Sequence, residues 1–126
     1  MFQPKQFNSI NGVAGLSERQ MKEHYKLYEG YIKKANEISD ALKNVDYSKA
    51  NATFSDLRAL KTGYSFAVNA IKSHELYFEN LSGDGKKPEG IVGKMITDQF
   101  GSFETWEEDL KATGIAARGW VWLAFD

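Results

Sequence analysis

The sequence contains no cysteine, only two prolines and only two histidines. Without thiols, disulfides, thiolate metal sites and cysteine nucleophiles are all excluded. Its 16 Lys plus Arg nearly cancel its 17 Asp plus Glu, so no net field favours nucleic acid or an acidic membrane surface. The opening stretch MFQPKQF has neither the apolar core nor the cleavage site of a signal peptide, and it is too polar for a membrane span. A cytoplasmic location is the default expectation. No serine lies in a nucleophile elbow. The glycines at 83 and 85 follow a helical stretch and lead to Lys86, Lys87 and Pro88, not to the Gly-Lys-Ser/Thr of a phosphate loop.

What is present is helical periodicity. A hydrophobic share of 42% with 26% charged residues over 126 positions suits one globular domain, or one and a fraction. Over residues 17–44, Met21, His24, Tyr28, Tyr31, Ala35, Ile38 and Leu42 recur at steps of three and four. Over 55–81 the same rhythm runs through Leu57, Leu60, Tyr64, Ala67, Ile71, His74, Phe78 and Leu81. Each histidine therefore falls inside the apolar stripe of its helix. The polar stretch between the helices suits an antiparallel hairpin. If Lys43 and Ser55 close it, His24 and His74 stand equally far from the closure, and their imidazoles face each other.

Local signals refine this reading. Ser17 with Gln20 reads as a capping box, and Thr53 or Ser55 caps the second helix. Gly30 marks a weak point or a close approach, and Gly63 predicts a bend or break. Residues 82–88 stop the second helix, with Pro88 suited to the first position of the next. Ile91, Met95, Ile96 and Phe100 then form a short helix ending at Gly101. Ser102 caps another, with Phe103, Trp106 and Leu110 on its apolar side. Residues 120–125, rich in aromatic and β-branched types, read as a strand. A lone strand has no ladder partner, so the expectation is a chain that stops where a sheet begins.

One histidine on an apolar helix face is usually a satisfied core residue. Two in register are different, because unsatisfied buried ring nitrogens cost roughly 1–3 kcal/mol each. A metal ion, or a shared proton with a bridging water, resolves that cost, and neutral imidazole suits first-row transition metals. Carboxylate-bridged di-iron helices place Glu three residues before each His. Here those positions hold Met21 and Ile71, so that arrangement is excluded. The tyrosines 25, 28 and 31 read as packing, and Glu29, Glu75 and Glu79 as wet-face residues.

Four blocks, in order, resemble the iron/manganese superoxide dismutases: HYKLYEGYIKKAN at 24–36, SHELYFENL at 73–81, FGSFETW at 100–106 and RGWVWL at 118–123. The resemblance implies a mostly α fold: a long antiparallel helical hairpin, two shorter helices and the first strand of an incomplete α/β domain. It divides the chain into an arm and hairpin at 1–85 and the start of a C-terminal domain at 86–126. It implies one iron or manganese ion held by His24 and His74, superoxide as substrate, and a homodimer that could form through the C-terminal strand. Tyr31 would be the catalytic tyrosine, and Tyr28, Phe78, Trp120 and Trp122 would surround the ligands. No nucleic acid or membrane partner is implied.

The departures from the family pattern are specific. Its remaining ligands, an aspartate and a histidine in a DxWEHAY-like block, do not occur in this sequence. Tyr31 lies seven residues after His24, where the family spacing is eight, which implies a missing helical bulge. Ala70 stands where many iron members carry glutamine, Phe78 replaces a usual tryptophan, and Tyr28 replaces a usual histidine. Metal preference stays open. The alternative function is a non-catalytic helical scaffold of the same descent.

Overall fold

The computed structural model describes residues 1–81 and 83–125. Ser82, within the expected helix stop, and Asp126 lie outside them. The chain forms two compact units, Met1–Ser82 and Gly83–Asp126.

The first unit is the expected helical hairpin with an N-terminal arm. Helix α1, Glu18–Leu42, starts where the Ser17 side chain accepts the Gln20 amide hydrogen at 3.1 Å. It is α-helical throughout, with no π turn. Met21, Tyr28, Ile32 and Ala35 form its buried stripe. The connection contains a short 3-10 turn, Tyr47–Lys49, fixed by the Asp46 carboxylate accepting from the Ser48 amide at 3.0 Å. Of the two candidate caps for the second helix, Ser55 takes the role, accepting from the Arg58 amide at 3.2 Å.

Helix α2, Asp56–Asn80, buries Ala67, Ile71, His74 and Phe78. Gly63 does not break it, since the helix runs unbroken from Asp56 to Asn80. The Ile38 side chain packs at 3.4 Å from where a Gly63 Cβ would stand, so neighbouring α1 supports the helix across this weak point. Gly30 has no neighbour within 4 Å of a hypothetical Cβ, and is not a close approach. The arm lies on both helices. Phe7 joins the core formed by Met21, Tyr28, Ile32, Ala35, Ala67, Ile71 and Phe78.

The second unit contains helix α3, Gly90–Phe100, and helix α4, Phe103–Ala116. Pro88 precedes α3 instead of opening it, and the cap position is Glu89. The Pro88 carbonyl oxygen occupies the space a Cβ on Gly93 would need, so only glycine fits this turn of α3. Gly101, at φ 84°, ends the helix in a conformation that favours glycine. Ser102 then caps α4 by accepting from the Thr105 amide at 3.0 Å.

Residues 120–125 carry no regular secondary structure, and no strand occurs among the described residues. The expected strand fails for a physical reason: its amides and carbonyls need a ladder, and no described segment offers one. The fold is mostly α, without that strand. No described helix is long and apolar enough to cross a membrane.

Candidate metal centre

The helix pair brings His24 and His74 together. Their ring centres are 4.9 Å apart, with planes at 77°. His74 is 4% exposed, whereas His24 is half-buried on the opposite helix. The His74 Nδ1 lies 2.7 Å from the Ala70 carbonyl oxygen, one turn earlier in α2. A carbonyl only accepts, so Nδ1 carries the proton and the Nε2 lone pair is the basic one in the neutral ring. Burial, reinforced by the neighbouring His74, pushes the His24 pKa below its ordinary value. A pair of neutral imidazoles is the form that binds metal.

An aromatic wall surrounds the pair. Phe78, fully buried one turn after His74, has its ring 5.3 Å from His24. The Tyr31 ring is 5.4 Å from His74, and the fully buried Tyr28 ring is 6.3 Å from it. Five of the expected site residues therefore gather in the first unit. The other two, Trp120 and Trp122, belong to the second unit, where their rings stack 5.6 Å apart at 23°.

Sequence reasoning missed two neighbours. Tyr77 has its ring 5.0 Å from His24; its position three residues after His74 was the available signal. Glu75 is not on a wet face. Its side chain is 19% exposed, and one carboxylate oxygen accepts the Tyr28 hydroxyl hydrogen at 3.0 Å. Burial and the adjacent Glu75 raise the Tyr28 phenol to about 12, against the Lys5 amide, which donates to it.

The donors suit a first-row transition metal in type but not in number. No cluster of three or more His, Cys, Asp or Glu able to hold a metal exists among the described residues.

Comparison with known proteins places this geometry in context. Residues 88–126 match the model of the iron/manganese superoxide dismutase C-terminal domain. The chain is 36% identical over 129 residues to the iron-type superoxide dismutase of Aquifex aeolicus, covering 98% of this chain and 61% of that protein. The iron-type enzyme of Aquifex pyrophilus is 35% identical with the same coverage. A manganese-type superoxide dismutase of Mycobacterium szulgai is 31% identical over 106 residues, 82% of this chain and 75% of that protein. The chain belongs to the iron/manganese superoxide dismutase family. It spans 61% of the length of the two Aquifex family members. Iron-type and manganese-type members both occur among the matches, so membership alone leaves the metal open.

Proposed function

We propose that this chain supplies the histidine half of a superoxide dismutase site, with His24 and His74 as ligands to one iron or manganese ion. The observation that carries this reading is the facing pair of imidazoles, 4.9 Å apart, in a family whose members are superoxide dismutases. The aspartate and the third histidine that the resemblance implies would come from polypeptide outside this sequence. The completed protein converts two superoxide ions and two protons to dioxygen and hydrogen peroxide. An iron or manganese ion held by His24 and His74 with the further ligands would supply the electron store, through its divalent and trivalent states.

The chain's own residues hold and shield the site. The Ala70 carbonyl fixes the His74 tautomer and sets the ring plane. Phe78, Tyr28 and Tyr77 pack their rings against the pair. Tyr31, half-buried at its edge, is the candidate for holding a proton near substrate. A cytoplasmic location and a homodimer belong to the same proposal.

The absence of a three-donor cluster among the described residues favours a second reading, a non-catalytic helical scaffold. Elemental analysis of the purified native protein separates the two. Stoichiometric iron or manganese that disappears in His74→Ala supports the enzyme. A metal-free protein in a stable complex with a different partner supports the scaffold.

A further inference from the structure

Three segments distant in sequence meet beside the histidine pair. Lys5 on the arm donates its amide hydrogen to the Tyr28 hydroxyl at 3.0 Å, and that hydroxyl donates to Glu75 Oε1 at 3.0 Å. Lys5 closes the ring through its ammonium, which donates to Glu75 Oε2 at 2.6 Å. Tyr25 ties the same point down by donating its hydroxyl to the Lys5 carbonyl at 2.8 Å.

The location matters more than the bond count. Tyr28 sits one turn after His24 on α1, and Glu75 directly follows His74 on α2. The Tyr28 ring packs 6.3 Å from His74 and 5.9 Å from Phe7 of the arm. Its hydroxyl has one hydrogen to give and a lone pair to offer, and both are engaged. A shift of α1 against α2 would break a bond to a fully buried phenol, which is costly without water to replace it. The triad thus resists the sliding and rotation that would spoil the facing of the two imidazoles.

We propose that Lys5, Tyr28 and Glu75 are positioning residues that fix the spacing and ring orientation of His24 and His74, making the N-terminal arm part of the site. The role deepens the metal reading above, but it concerns ring geometry that exists without metal. It is tested first on the metal-free full chain with isotope-labelled histidine, by ring-to-ring nuclear Overhauser effects and ring-nitrogen tautomer signals.

Glu75→Gln and Lys5→Met should each at least halve the His24–His74 ring effect and give His74 a second ring environment. Lys5→Arg, which keeps the ion pair, should restore the single environment. Unchanged ring signals in folded Lys5→Met and Glu75→Gln would overturn the proposal. If Glu75→Gln fails to fold, Lys5→Met decides alone, since the Lys5 side chain is 56% exposed and its loss leaves no cavity.

Cobalt(II) titration provides the second readout. Lys5→Met should weaken binding at least fivefold, with recovery in Lys5→Arg; equal affinity in wild type and Lys5→Met would also count against positioning. His74→Ala is the separate control for the metal reading. Should it bind cobalt as well as wild type does, that reading fails, while the ring-geometry measurements still decide the positioning role.

Discussion

The imidazole of His24 stands edge-on to that of His74, with ring planes at 77° and centres 4.9 Å apart. Two cations cannot share that space cheaply. Burial and the neighbouring ring both disfavour protonation of His24, so acid acts against the folded hairpin. The unfolded chain takes up this proton near pH 6.5, and the folded chain only at lower pH. Stability is therefore intact above pH 6.5 and is lost as pH falls through the depressed folded pKa. The urea midpoint of metal-free protein should drop between pH 7 and pH 5, and His24→Gln should flatten that drop. An equally steep fall in the variant would mean that other groups cause it.

At the alkaline end Tyr28 has the opposite sign. Its phenol ionises near pH 10 when unfolded and at about 12 when folded. The folded state thus keeps its full contribution below pH 10 and loses it as pH rises from 10 to 12. A two-unit shift corresponds to about 2–3 kcal/mol. Absorbance titration of tyrosinate should show a component still neutral at pH 11 in wild type that is lost in Tyr28→Phe. If all tyrosines titrate together near pH 10, the buried phenol is not where the structure places it.

Core substitutions should rank by burial. Ile71 is 2% exposed inside the seam, and Ile71→Ala should cost about 2–5 kcal/mol by opening a cavity. Leu60 lies on the same helical stripe but is only half-buried, so Leu60→Ala should cost clearly less. Breaking the exposed Lys26–Glu23 pair should change stability by roughly 0–1 kcal/mol. Denaturant melts of the three variants check this order, and a larger loss for Leu60→Ala than for Ile71→Ala would contradict the described seam.

The facing of the histidines was legible in the sequence because it needs only two stripes with helical spacing and a short polar connection. The Ser17, Ser55 and Ser102 caps were legible for a similar reason: each depends on residues within one turn. Glu75 was misread because its partners are Tyr28 on the other helix and Lys5 on an arm without periodicity. No local pattern encodes that meeting. Ile32, 4% exposed, escaped because it stands beside Tyr31 at the stripe's edge, where helix rotation decides which of the two turns inward. Residues 120–125 carry strand-forming side chains, yet side-chain preference cannot replace a missing ladder.

Gly30 gives the most direct test of local helix energetics. It lies mid-helix in α1, its φ is not positive, and a Cβ there would meet nothing within 4 Å. Nothing in the fold therefore requires glycine. Alanine would remove backbone freedom from the unfolded chain without introducing strain. Gly30→Ala should stabilise the protein by roughly 0.5–1 kcal/mol, with the His24–His74 ring signals unchanged. Gly63→Ala, whose Cβ would touch Ile38 at 3.4 Å, should gain less, because part of the entropic benefit is offset by tighter packing. A stability loss in Gly30→Ala, measured by urea midpoint, would show that a neighbour approaches α1 there after all.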